Sequence, residues 1–218
     1  MQRHPGLIRM DSASYTCCYG NEVYSFKVRC PQSALIFFPG DIQDAEANMV
    51  QSSLGKEFKE FSYEETLQIL HSKYPHSNIF IVRPSMKSDD ISLYETYLDC
   101  DEHGNVTYFN PHGEAAHNLF ILLEDYLCSN SSMNSPPGSD VVNLPLILIG
   151  FSRGALVLNQ LLTELGTSLY SDSVLLRCRE VHWLDCGNGG NHLCFPVLSE
   201  SALACLHLYR FVSRLCFP

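Results

Sequence analysis

Basic residues are scarce: 14 Lys and Arg stand against 24 Asp and Glu, a formal net charge of −10. Such a field repels phosphate backbones and anionic lipid surfaces, so nucleic acid is excluded as a partner. Long hydrophobic runs are also missing. The longest, residues 144–150, is strand-sized, and about 18 apolar residues are needed to cross a bilayer, so no integral membrane segment is expected. Tight metal-ligand spacings are absent: no CxxC occurs, and Cys186, His192 and Cys194 do not form a metal pattern. Neither a metal nor a cofactor is expected. Charged residues make up only 17% of the chain while hydrophobic ones reach 45%, a balance that excludes disorder throughout.

The 218 residues fit one domain, 1–218, and the 10 cysteines are too few to mark a disulfide scaffold in a chain of this size. Cys128, Cys178 and Cys205 sit in or beside apolar runs and read as buried free thiols of a reducing compartment. The first twenty residues carry Arg3, His4, Arg9 and Asp11 and no continuous apolar core, so no signal peptide is legible.

Strand-like and helix-like segments alternate along the chain. Residues 22–30 and 34–38 read as strands, the second ended by Pro39-Gly40. Ser62 with Glu65 forms a capping box for a helix carrying Leu67, Leu70 and Tyr74 on one face before Pro75. Residues 79–82 form a strand, and Ala115, Leu119, Leu122, Leu123 and Tyr126 recur at helical spacing. A central strand at 144–149 precedes a leucine-rich helix at 155–165, and 181–184 is a further strand. Loop-rich stretches occupy 84–112 and 129–143. The alternation implies an α/β fold with a mainly parallel sheet flanked by helices. Residues 199–215 read as a last helix covering the edge of a sheet that stops at the 181–184 strand and lacks further strands.

The chemical signal lies at the end of the central strand: Gly150-Phe151-Ser152-Arg153-Gly154, the pattern G-x-S-x-G between strand and helix. Alone, this pattern arises by chance in about one chain in fifteen of this length, and the strand and helix around it lower that by roughly tenfold. A serine hydroxyl is a poor nucleophile until a turn holds it clear of the backbone, near a base and a helix N-terminus. Gly150 and Gly154 permit such a turn, and Ser152 is the candidate nucleophile. A serine that only caps the following helix fits the same residues.

An oxyanion needs two N–H donors. Arg153 supplies one, and the Gly40-Asp41 loop after the 34–38 strand supplies the other, although an ordinary Pro-Gly turn has the same spelling. In the order nucleophile, acid, histidine, Asp185 at the end of the 181–184 strand is the candidate acid. His192 in the same loop is the candidate base, with His207 the other downstream histidine. Ordinary capping and surface roles remain open for Asp185 and both histidines.

Phe37 to Asp41, residues 148–162 and Trp183-Leu184-Asp185 with its glycine-rich sequel together resemble a family of mitochondrial α/β-hydrolase-like proteins named after an open reading frame on chromosome 2. The resemblance runs over about residues 34–191. It implies an α/β-hydrolase-like fold, a role in mitochondrial and energy homeostasis, a mitochondrial location and a serine nucleophile at Ser152. No transit segment is legible, which leaves a cytoplasmic location open.

That family carries a histidine in the glycine-rich loop where this sequence has Asn188, and it continues past the point where this chain ends. The end therefore reads as truncated or divergent, with no histidine in reach of Ser152. Two functions follow. One is a serine hydrolase acting on a small acyl substrate, an ester, thioester or other acyl bond. The other is a hydrolase-like fold without catalysis that binds or regulates a protein partner, with 129–143 as a candidate contact segment.

Overall fold

A computed structural model describes residues 13–18, 21–88, 91–101, 105–106, 108–130, 143–166, 174–186, 200, 204 and 212–216. Two hairpin strands open it, β1 (Ala13–Cys18) and β2 (Asn21–Phe26), followed by β3 (Ser33–Phe38). Short helices α1 (Glu46–Met49) and α2 (Ser53–Glu57) lead through a 3-10 turn to α3 (Tyr63–Lys73) and then β4 (Ser77–Val82). A small hairpin, β5 (Met86–Ser88) and β6 (Ile91–Leu93), lies before α4 (Ala115–Asn130). The central β7 (Leu146–Phe151), α5 (Gly154–Leu165), β8 (Cys178–Leu184) and β9 (Val212–Cys216) complete the order.

One seven-stranded sheet runs β1-β2-β4-β3-β7-β8-β9. Its first two pairings, β1 with β2 and β2 with β4, are antiparallel, and every pairing from β4 through β9 is parallel. The class is α/β, as expected. β3 and β4 are apolar on both faces because both faces are covered. Ile36, Phe38, Phe80 and Leu148 pack with Leu119, Leu122 and Leu158 of α4 and α5. Leu35, Phe37, Ile79, Ile81 and Ile149 pack on the opposite side with Tyr63, Leu67 and Leu70 of α3. Alternate residues of each strand thus enter separate cores.

Local signals account for several boundaries. Ser62 Oγ accepts from the Glu65 N–H at 3.3 Å and caps α3. The reciprocal half of the capping box is replaced, because the Ser62 N–H donates to the Lys59 carbonyl of the 3-10 turn. At the start of α4, the Glu164 carboxylate accepts from the Ala115 and Ala116 N–H groups at 3.0 and 2.8 Å, which satisfies donors with no partner inside the helix.

The structure corrects the reading of residues 199–215 as one helix. Residues 200 and 204 are helical, but Val212–Cys216 is a strand paired parallel with β8, so the sheet does not stop at β8. An open β8 edge would leave a row of backbone donors and acceptors unpaired, and five residues of β9 satisfy them. The loop-rich stretch 84–112 likewise contains the β5–β6 hairpin. Cys178 is buried and free, and burial pushes its thiol up to about 12. Among the described residues no helix is long and apolar enough to cross a membrane.

Candidate active site

The parallel register brings the C-terminal ends of β3, β7 and β8 together: Phe38 faces Gly150, Gly150 faces Trp183, and Phe151 faces Leu184. Ligands of parallel sheets bind at this edge. Ser152 follows β7 directly, with φ of 50°, and α5 begins two residues later. For a non-glycine residue this left-handed conformation costs about 1–3 kcal/mol and persists only where the surroundings enforce it. They do so here: the Ser152 N–H donates to the Leu184 carbonyl at 2.8 Å, and the Ser152 carbonyl accepts from the Ala155 N–H at 3.1 Å. The side chain is half-buried, and its hydroxyl makes no hydrogen bond among the described residues.

Close packing sets the neighbours of the serine. A Cβ on Gly154 would stand 2.0 Å from the Phe38 carbonyl oxygen, so α5 enters against the end of β3 only because that position lacks a side chain. A Cβ on Gly40 would stand 2.9 Å from Ser152 Cβ, and one on Gly150 would stand 2.7 Å from Ala155 Cα. Gly40 therefore places the loop backbone directly against the serine.

That loop is held from several sides. The Gly40 N–H donates to Gln43 Oε1 at 2.9 Å, and the Gly40 carbonyl accepts from Ser92 Oγ at 3.0 Å. Tyr94 donates its hydroxyl to the Pro39 carbonyl at 2.7 Å. Asp41 Oδ1 accepts from the Ser92 N–H at 2.9 Å and from Arg153 Nε at 2.7 Å, joining the loop to the residue after Ser152. The Gly40 N–H is thus taken by Gln43 in this structure, and what Gly40 contributes beside the serine is close approach. The next N–H, that of Asp41, makes no hydrogen bond among the described residues.

Asp185 follows Leu184 at the end of β8 with φ of 47°, beside the elbow on the adjacent strand. Asp is among the residues that adopt this conformation with least cost. Gly40, Asp41, Gly150, Ser152, Arg153, Gly154 and Asp185 thus share one edge of the sheet, whereas His192 and His207 lie outside the described residues. Among the described residues no group of three His, Cys, Asp or Glu is arranged to hold a metal ion.

Gln43, Ser92 and Tyr94 were not legible as parts of this site. Gln43 sits only three residues beyond Gly40, but a buried glutamine has no motif. Ser92 and Tyr94 reach the loop across more than fifty residues of sequence.

Known proteins are similar to the chain. The zebrafish (Danio rerio) mitochondrial protein C2orf69 homolog is 27% identical over 168 residues, covering 72% of this chain and 49% of the relative. The human (Homo sapiens) mitochondrial protein C2orf69 is 23% identical over 209 residues, covering 73% of this chain and 54% of the relative. The chain spans about half the length of these relatives. Similar solved structures include a Bacillus cereus carboxylesterase, 10% identical with a TM-score of 0.46 over 90% of this chain and 84% of that one. Esterase PE8 is 13% identical with a TM-score of 0.43 over 87% and 83%. The family model described as C2orf69 matches residues 23–142 and 124–207, and the chain belongs to the C2orf69 family.

Proposed function

We propose that this chain is a serine hydrolase of a mitochondrial setting that cleaves an ester, thioester or other acyl bond, with Ser152 as nucleophile. The observation that carries the reading is the strained Ser152 turn between β7 and α5, packed against the Gly40-Asp41 loop. A left-handed serine that served only as a helix cap would have no need of the strain, since caps take ordinary extended backbone. The mitochondrial setting rests on the names of the relatives.

In this reading Ser152 Oγ attacks the acyl carbon and its proton passes to the His192 ring, which Asp185 orients. The acyl oxygen takes up negative charge and accepts from the Asp41 and Arg153 N–H groups, each such donor being worth roughly 10²–10³ in rate. The alcohol or thiol departs with the proton held by the ring. Water then attacks acyl-Ser152, the ring takes a proton from it, and carboxylic acid and free serine are released.

Hydrolysis of p-nitrophenyl acetate by the wild-type chain and by Ser152→Ala tests this, with circular dichroism checking that both are folded. Ser152-dependent turnover is expected; equal rates in the two proteins refute it. The second reading is a hydrolase-like protein that binds or regulates a partner without catalysis. Folded protein without turnover would support it.

A further inference from the structure

Exposed apolar side chains are ordinary when scattered and informative when they are contiguous beside a site. Three of the six large hydrophobics most exposed among the described residues, Val50, Leu54 and Phe61, fall in the short span between the Gly40 loop and α3. Phe61 is 41% exposed, and its ring stacks on Phe151 with centroids 6.1 Å apart and planes 16° from parallel. Phe58 lies against Phe61 at 6.3 Å. Leu54 is one helical turn before Phe58, whose N–H donates to the Leu54 carbonyl at 3.2 Å. Phe151 itself immediately precedes Ser152, and its ring would stand 2.9 Å from a Cβ on Gly40. A row of partly exposed apolar side chains therefore begins beside the elbow at Phe151 and continues through Phe61 and Phe58, with Leu54 one helical turn further on.

One side chain ties this row to the candidate reaction centre. Gln43, 3% exposed, accepts from the Gly40 N–H through Oε1 and donates through Nε2 to the Phe61 carbonyl at 2.9 Å. A second donation to Thr66 Oγ1 at 3.2 Å anchors the amide to α3. The loop beside Ser152 and the backbone under Phe61 are therefore held in one fixed relation. Such fixed spacing between an apolar subsite and a polar centre suits a ligand with an apolar tail and a polar head.

We infer that this row binds the acyl chain of the substrate, a linear aliphatic chain of medium length, and that Phe61 is its main specificity-determining residue. The inference rests on Ser152 being the nucleophile. The side of the elbow decides which half of the substrate lies there. The row flanks the β3 loop, whereas the candidate acid follows β8 on the other side of β7. A base oriented by Asp185 would stand on the β8 side, so the leaving group it protonates belongs there and the acyl chain on the β3 side. No additional bond is formed or broken in this proposal: the acyl-serine chemistry is unchanged, and the row selects which acyl group enters it.

The test compares p-nitrophenyl acetate, butyrate and octanoate on the full chain, as wild type, Phe61→Ala and Phe58→Ala. Burying one methylene is worth about fourfold in a rate or binding constant, and less on an open surface. The expected result is a kcat/KM for octanoate at least about tenfold above acetate in the wild type, and an octanoate-to-acetate ratio that falls about fivefold or more in Phe61→Ala. An unchanged ratio in both variants overturns the inference. So does a series of alkyl acetates in which rate follows the alcohol chain rather than the acyl chain.

Calorimetric binding of octanoate and acetate to Ser152→Ala separates this from the hydrolase reading. Octanoate binding lost in Phe61→Ala supports the row even where no turnover is found, and equal affinity for the two acids overturns it. Turnover that survives Ser152→Ala instead sinks the hydrolase reading.

Discussion

A Gly154→Ala substitution probes the packing that makes the elbow. The added Cβ would meet the Phe38 carbonyl oxygen at 2.0 Å, the Phe38 carbonyl carbon at 2.6 Å and the Pro39 carbonyl oxygen at 2.7 Å. Cβ atoms essentially never approach closer than 3.0 Å, so the start of α5 and the end of β3 must separate by about 1 Å. All three obstructing atoms are backbone, and no rotamer change relieves them. Overpacking usually costs about 1–3 kcal/mol, and a clash with the backbone of a central strand belongs at the upper end of that range. Against a typical total of about 5–15 kcal/mol this is a large fraction. The displacement also shifts the Gly40-Asp41 loop relative to Ser152, and a misplacement of about 1 Å lowers rates by roughly a hundredfold.

Urea unfolding followed by circular dichroism should show a clearly lower midpoint, and p-nitrophenyl acetate hydrolysis should fall by at least about tenfold in the folded fraction. Gly113→Ala serves as the comparison, because its Cβ would meet the Glu164 Oε1 and Gln160 Nε2 side-chain atoms, away from Ser152. A Gly154→Ala protein with unaltered midpoint and turnover would refute the packing argument.

Arg153→Ala removes one of the two donors to Asp41 Oδ1; because this pair is partly exposed, the urea midpoint should move by no more than about 1 kcal/mol in stability, while ester kcat/KM drops about tenfold and Arg153→Lys recovers part of it. Burial raises the Glu164 carboxyl above its usual 4.5, opposed by hydrogen bonds from Ala116, Gln160 and Ala115. The folded state therefore keeps its proton to higher pH than the unfolded chain, and the Glu164 contribution to stability should decline as pH rises from about 4.5 through the raised value. Urea midpoints measured across that range should show this component in wild type and lose it in Glu164→Gln. Asn159→Leu leaves the buried Trp183 indole N–H without its acceptor, now 2.9 Å away, and calorimetry should register a loss of about 1–3 kcal/mol.

What the sequence disclosed depended on how local each determinant is. The β7 strand and the elbow were legible because an apolar run, two glycines and the following helix lie within twenty residues. The Ser62 cap was legible for the same reason. β1, β5, β6 and β9 are short edge or hairpin strands whose stability comes from a partner, so their own pattern says little. In residues 199–215 the spacing of Leu203, Leu206, Tyr209 and Val212 suits a helix, yet the open edge of β8 recruits Val212–Cys216 as a strand.

The site divides similarly. Gly40 is recognisable in the sequence as a residue of close approach, but the Gln43 side chain that accepts from its N–H is not. No pattern within the loop shows that acceptor or the Ser92 and Tyr94 contacts, which exist only once the chain is folded. The Phe151–Phe61 stack joins residues ninety positions apart and is equally invisible in one dimension.

The most direct test of the central claim is the mass of the intact protein after exposure to a fluorophosphonate, followed by peptide mapping of the modified residue. One phosphonyl group per chain is expected, located on Ser152 and absent from folded Ser152→Ala. Folded wild-type protein that takes up no phosphonyl group, or takes it up at another residue with Ser152 intact, would contradict it.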